Sequence, residues 1–311
     1  MEKTKLLIDT DIGDDIDDLF ALYFAMRQNI EIVGVTTVFK DTVQRARMVK
    51  KLFKKFGNGY EKVPVYAGYG MPLNGVGGAK ERLCQYTPDL ESDEYTPDCV
   101  DEEKAVDFII ESCKKYGKDL TVVAIGPFTN IAKAIQKEPT IFNSVNFVIM
   151  GGAYFRQYAD WNIMCDVESA KIMFDNVLTL EGLGADVTHK LDINEENKQK
   201  ILAYKDSGKN EAGKYVSEVF NIFCTFNRPL LLHDPLTVYF PTNRDICTME
   251  KARVVVFTDT VARGVSFNID AYGKAYMNPY CKQYENLNKI SVAKEVKREE
   301  FIDTFMTAFI D

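Results

Sequence analysis

Six carboxylates fall within ten residues near the start of the chain. Residues 9–18 read DTDIGDDIDD, with acids at Asp9, Asp11, Asp14, Asp15, Asp17 and Asp18. Like charges at this density push one another's pKa upward and strain the fold, unless a cation neutralises them or acid–base chemistry uses them. Hard divalent ions such as Ca²⁺ prefer oxygen ligands of this kind. The plainer reading is a solvated acidic loop at a helix start, where Asp caps free N–H groups and suits the helix dipole. The flanks argue for burial. Leu6-Leu7-Ile8 precedes the acids and Leu19-Phe20-Ala21-Leu22-Tyr23-Phe24-Ala25 follows them. A turn between a buried strand and a buried helix is an expensive place for unused charge.

One turn supplies too few ligands for a cation. The best distant carboxylate is Asp234, in Leu232-His233-Asp234-Pro235 after the apolar Leu230-Leu231-Leu232. Taken alone, that segment is equally an Asp capping a helix beside a hydrogen-bonded His. His189 and His233 are the only two histidines, which excludes His-rich zinc sites. No GxSxG elbow and no Walker A loop occurs, and the glycines at 75, 77 and 78 do not follow a strand. Ala159-Asp160-Trp161-Asn162-Ile163 joins an acid, the single Trp and an amide. Acid and amide together can hold a sugar diol; the alternative is a surface turn with Trp packed beneath it.

The elements that must position these residues alternate. Residues 5–10, 30–38, 63–66, 120–125, 145–150 and 253–257 read as strands, with short strand-like pieces at 178–180 and 184–187. Residues 17–27, 43–56, 105–116, 129–136, 169–176, 195–205, 210–226 and 298–310 read as helices. Alternation of this kind implies an α/β fold, an open, mostly parallel sheet flanked by helices and joined by right-handed crossovers. No linker divides the chain, so residues 1–311 read as a single domain, with about 195–245 a helical insertion over the site. Ligands of open parallel sheets bind beyond the strand carboxyl ends. Asp9–Asp18, Ile125-Gly126, 150–162 and His233-Asp234 fall at such ends. A long aperiodic stretch, 68–97, suggests a functional loop.

Composition narrows the partners. The chain has 311 residues, 46% hydrophobic and 27% charged, with a formal net charge of −8, as in a soluble globular protein. There is no Lys/Arg block, which speaks against nucleic acid, and no apolar stretch near the roughly 20 residues of a membrane span. Residues 1–10 enter a strand directly without a signal-peptide core, so a cytoplasmic location is expected. Seven Cys (84, 99, 113, 165, 224, 247 and 281), odd in number and without CxxC spacing, read as reduced, mostly buried thiols.

From residue 5 to near the end, the chain resembles the inosine–uridine-preferring nucleoside hydrolases. Their opening DxDPGxDD is matched by Asp9-Thr10-Asp11-Ile12-Gly13 and then Asp17-Asp18-Leu19. Their VxxGPLTNxA is similar to Val123-Ala124-Ile125-Gly126-Pro127-Phe128-Thr129-Asn130-Ile131-Ala132. Their MGG, AEFN, DVTH and HDPL are similar to Met150-Gly151-Gly152, Ala159-Asp160-Trp161-Asn162, Asp186-Val187-Thr188-His189 and His233-Asp234-Pro235-Leu236.

The resemblance implies an open α/β sheet, one bound Ca²⁺, cleavage of the N-glycosidic bond of ribonucleosides, and a homodimer or homotetramer. Residue by residue it implies Asp11, Asp18, Asp234 and the Ile125 carbonyl as metal ligands. It implies Asp11 as the group that activates water and His233 as the aid to the departing base. Asp17, Met150, Asp160 and Asn162 correspond to ribose-binding positions. The departures are Ile12 in place of Pro, two extra residues before Asp17-Asp18, and Asp160 in place of Glu. The extra residues let Asp15 replace one of the usual metal ligands. Tyr86 and Tyr95 in the long loop are candidates to close over the base, and His189 is expected to be structural. Two rival readings remain: a metal-dependent nucleoside-binding protein without turnover, and a haloacid-dehalogenase-type phosphatase with Asp9 as nucleophile, which Leu7-Ile8-Asp9-Thr10-Asp11 loosely resembles.

Overall fold

Apolar runs too uniform for one-sided burial form the middle of the sheet. The computed structural model describes residues 3–75, 83–272 and 284–310; Gly77, Gly78 and Cys281 lie outside them. In β1 (Thr4–Thr10), Leu6 and Ile8 join the core on one face while Leu7 joins the core on the other. β2 (Ile30–Thr37) and β4 (Leu120–Ala124) flank β1 in parallel register. β3 (Val65–Ala67) extends the sheet beyond β2, and β5 (Asn146–Met150) and β6 (Leu180–Leu183) beyond β4. The full order is β3-β2-β1-β4-β5-β6-β10-β7, closed by β10 (Ile290–Val296) parallel to β6 and β7 (Cys247–Ala252) antiparallel to β10. The chain builds outward from β1 through β2 and β3, then restarts on the opposite side at β4. This reversal puts the crevice for ligands at the carboxyl ends of β1 and β4.

Two helical layers cover the sheet. One face carries α1 (Asp17–Met26), α2 (Thr42–Phe56), α8 (Glu195–Ser207), α9 (Glu211–Cys224), α10 (His233–Tyr239) and α12 (Arg298–Ile310). The other carries α3 (Glu102–Tyr116), α4 (Thr129–Lys137) and α6 (Val167–Asn176). All ten residues of α1 are buried, because α10, α9 and α12 wrap it on the side away from the sheet. Phe20 anchors that wrapping, with ring centroids 5.5 Å from Phe220, 5.5 Å from Phe305 and 5.7 Å from Phe309.

The expected insertion is therefore a buttress more than a cover. α8 and α9 pack on α1, α2 and α12, and only Arg228 and the first turn of α10 reach the ligand crevice. Two further readings change. Residues 184–187 form a helical turn, α7 (Ala185–Thr188), because Gly184 accepts backbone bonds from Val187 and Thr188. Its branched residues suggested a strand, but tertiary bonds override that local preference. The strand near 253–257 lies outside the main sheet: β8 (Val254–Val256) pairs with β9 (Ser266–Asn268) alone. α5 (Trp161–Cys165) and α11 (Ile269–Tyr272) are single turns.

Candidate active site

Two helix starts meet over the carboxyl end of β1. α1 begins at Ile16 without a side-chain cap, and its first turn carries Asp17 and Asp18. α10 carries Asp234 in its first turn and packs along α1. One carboxylate oxygen from each of Asp17, Asp18 and Asp234 lies within 4.8 Å of the other two, and all three side chains are buried. Thr10 donates its hydroxyl to Asp18 Oδ1 at 2.5 Å, and the Asp234 backbone N–H bonds Asp17. Burial, then the neighbouring carboxylates, pushes all three well above the ordinary carboxyl range. Both helix dipoles point their positive ends at the cluster, but partial charges of that size do not balance three acids.

The remaining acids of the opening motif have separate environments. Asp11 lines the cavity beside the cluster, and burial raises it to about 6 against the pull of Arg45. Gly126 lets β4's exit pass close by: a Cβ there would sit 2.9 Å from the Asp11 amide nitrogen and 2.8 Å from Val38 Cγ1. Asp14 is neutralised. Lys40 Nζ and Arg45 Nη2 each lie 3.0 Å from Asp14 Oδ2, so these cations, which outweigh burial, hold it below the usual carboxyl range. Arg45 is fully buried and donates to the Asp11, Ile12 and Phe39 carbonyls. Asp15 lines the cavity but is half-buried, accepts from the Ile16 N–H at 2.6 Å, and lies outside the three-acid cluster. Asp9 is fully buried at the end of β1, with Oδ1 taking bonds from Thr36 (2.6 Å) and Asn130 (2.8 Å). It is not presented to the cavity, so it is not placed as a nucleophile.

The opposite wall comes from the exits of β4 and β5. Asn162 Nδ2 donates to the Ile125 carbonyl at 2.9 Å and to the Met150 carbonyl at 3.1 Å, tying the two strand ends together. Asp160 caps α5, accepting from Ile163 N at 3.1 Å and from further backbone N–H groups at Gly152, Trp161 and Asn162. Ile125, Met150, Asp160 and Asn162 all line the cavity. Trp161 is 63% exposed at the cavity rim, which disagrees with the alternative reading of a turn with Trp packed beneath it.

His233 faces the cavity with Thr188 Oγ1 2.7 Å from its Nδ1. The hydroxyl can donate to Nδ1 or accept from it, and the ring tautomer decides which. Burial, then His189, lowers His233 to about 4, so the ring is neutral near pH 7. His189 lines the same cavity, its ring centroid 5.4 Å from that of His233, and Tyr158 reaches both its nitrogens. His189, expected to be structural, lines the cavity; Tyr158, Lys40, Cys84 and Arg228, which no motif singled out, complete it to about 460 Å³. Tyr86 and Tyr95 do not line it: Tyr86 is buried with its hydroxyl on Glu91, and Tyr95 sits beside Lys51 and Lys54.

Three buried carboxylates that could hold a metal ion meet beside a strand switch point, under a cleft lined by two histidines in an α/β fold. The chain belongs to the inosine-uridine preferring nucleoside hydrolase family, whose model matches residues 6–303. It is 27% identical to "Probable uridine nucleosidase 1" of Oryza sativa subsp. japonica over 85% of this chain and 84% of that one. A solved plant nucleoside hydrolase, the PpNRh1 enzyme, superposes with a TM-score of 0.83 at 25% identity, covering 99% of each chain. A purine-preferring ribonucleoside hydrolase from Gardnerella vaginalis superposes with a TM-score of 0.73 at 26% identity, covering 98% of each.

Proposed function

We propose that this chain hydrolyses the N-glycosidic bond of ribonucleosides with the help of one Ca²⁺, releasing free base and ribose. The observation that carries the reading is the convergence of Asp17, Asp18 and Asp234, from chain segments more than two hundred residues apart, on one buried point beneath an open cavity. These acids suit a cation. Their oxygens are close and buried, while the nearby Lys40 and Arg45 spend their charge on Asp14. Asp18 and Asp234 of this cluster, with Asp11, Asp15 and the Ile125 carbonyl beside it, are the proposed ligand set, and Asp17, the cluster's third acid, is assigned to the sugar. All-oxygen donors favour Ca²⁺ over softer metals. When bound, such an ion lowers the pKa of water and orients the sugar hydroxyls.

The chain's own residues do the rest. Asp17 grips a ribose hydroxyl, and Asp11 accepts the proton of the attacking water as its oxygen bonds to C1′. The C1′–N bond breaks with its electron pair leaving on the base. The sugar passes through an oxocarbenium-like centre, as in other glycoside cleavage. The Met150 and Asn162 positions hold the sugar's underside. Asn162 acts through the Ile125 and Met150 carbonyls that it fastens, and Asp160 acts by fixing the turn that carries them. With Thr188 donating to Nδ1, the Nε2–H of His233 hydrogen-bonds the leaving nitrogen. A reducing-sugar assay over a riboside panel, with and without chelator, tests the reading. Sugar released only when the metal is present supports turnover. Metal-dependent binding without free base would mark a binding protein instead.

A further inference from the structure

The aromatic groups able to exchange hydrogen bonds gather on one side of the cavity. Tyr158 comes from the loop after β5, while His189 caps the end of α7 and His233 opens α10. The Tyr158 and His189 rings lie 11° from parallel with centroids 5.8 Å apart, and His189 stands edge-on to His233 at 70°. The Tyr158 hydroxyl sits 3.3 Å from His189 Nδ1 and 3.4 Å from Nε2. Both distances are near the outer limit of a hydrogen bond, so the contact is weak and easily exchanged for a ligand's polar edge. His189 is exposed toward the cavity, not packed as an interior histidine.

The wall is nevertheless held in place. Asp186, in α7, accepts bonds from the Tyr154 and Phe155 N–H groups, which fastens the Tyr158 loop to the turn ending in His189. Ala159 bridges to Val265 on the loop's other side. Burial first, then Asp160 and Asp186, keeps the Tyr158 phenol protonated by pushing it up to about 12. Burial, then Arg156, lowers His189 despite Asp186. The pair thus offers neutral donors and acceptors, suited to the amide-like edge of an uncharged heterocycle.

We infer that Tyr158 and His189 form the base-reading wall of the site: they hydrogen-bond the polar edge of the nucleobase and set which bases are cleaved. The inference rests on the riboside-hydrolase reading above, in which the sugar occupies the carboxylate end and the base must turn toward this wall. Two hydrogen bonds that only a base with a polar edge can make should favour natural nucleosides over a riboside whose leaving group lacks that edge.

The test compares kcat/KM of wild type, Tyr158→Phe, His189→Ala and His189→Gln on uridine, cytidine, inosine and p-nitrophenyl β-ribofuranoside, with thermal melts as a folding control. Each of Tyr158→Phe and His189→Ala should lower kcat/KM for at least one natural nucleoside about tenfold, the factor for one lost neutral hydrogen bond. The ratio between bases should shift while p-nitrophenyl riboside changes less than about threefold, and His189→Gln should recover part of the loss. Equal loss on every substrate, or an unchanged ratio between bases, overturns the inference while leaving the hydrolase reading standing. A wild-type protein that cleaves none of the four overturns both.

Discussion

At the scale of single residues, the buried charges divide into those that neutralise one another and those that await a partner. Asp14 belongs to the first kind, held by Lys40 and the buried Arg45. Phe39 and Lys40 adopt left-handed backbone, at φ 65° and 58°, to bring this arrangement about, and the strain is held by their bonds to the Tyr69 and Gly70 carbonyls. Arg45→Met leaves the Asp11, Ile12 and Phe39 carbonyls without this donor and Asp14 with Lys40 alone. It should destabilise the protein by about 1–3 kcal/mol, the cost of leaving buried acceptors unsatisfied. Urea denaturation checks this, and a loss below about 1 kcal/mol would show that the network does not organise the loop. Asp11 belongs to the second kind. Asp11→Asn should keep the melting temperature near that of wild type and cut kcat by about 10²–10⁴-fold, the range for a lost general base. Near-normal turnover removes Asp11 from that role.

At the scale of elements, the site depends on where strands stop and helices start. β1 and β4 leave the sheet so close together that only glycine fits at position 126. Gly126→Ala should push β4's exit away from Asp11, costing about 1–3 kcal/mol of stability from overpacking and a larger share of activity than of stability. Parallel denaturation and kinetic measurements compare the two losses, and an intact kcat with lost stability contradicts the coupling. This part of the molecule was readable in the sequence. A uniformly apolar run, a burst of acids and a second apolar run leave few alternatives to strand, turn and buried helix, and the bounds of β1 and α1 fall within a residue of expectation. The far edge of the sheet was not readable. β7 (CTMEKA) and β10 (ISVAKEV) mix charged and apolar residues without alternation. Their pairing is set by long-range contacts that no local pattern encodes. The same holds for the Tyr158–His189 side of the cleft. The acids announced themselves by density, but Tyr158 and His189 meet only because Asp186 joins two distant loops.

At the scale of the whole molecule, a buried acidic cluster links stability, protons and metal. Burial raises Asp9 to about 7 and Asp11 to about 6, and pushes Asp17, Asp18 and Asp234 well above the ordinary carboxyl range. In the unfolded chain the same carboxyls titrate near pH 4. Between those limits the folded, metal-free protein holds more protons than the unfolded one, so its stability falls as pH rises. The chelated protein should therefore melt at a lower temperature near pH 7 than near pH 5, and added Ca²⁺ should reverse the loss at pH 7 by binding the folded state alone. Differential scanning calorimetry at both pH values, with and without Ca²⁺, reads both effects. A chelated protein whose melting temperature is flat or rises over that window contradicts the linkage.

The central claim is that a cation held where α1 and α10 begin is required for riboside cleavage. It is met most directly by one titration: purified protein is stripped with chelator, dialysed, and assayed for ribose release from a nucleoside panel as Ca²⁺ is returned stepwise. The account predicts no release from the stripped protein, recovery that saturates at one ion per chain, and no recovery in Asp234→Asn. Full activity in the stripped protein, or recovery undiminished in Asp234→Asn, would contradict it.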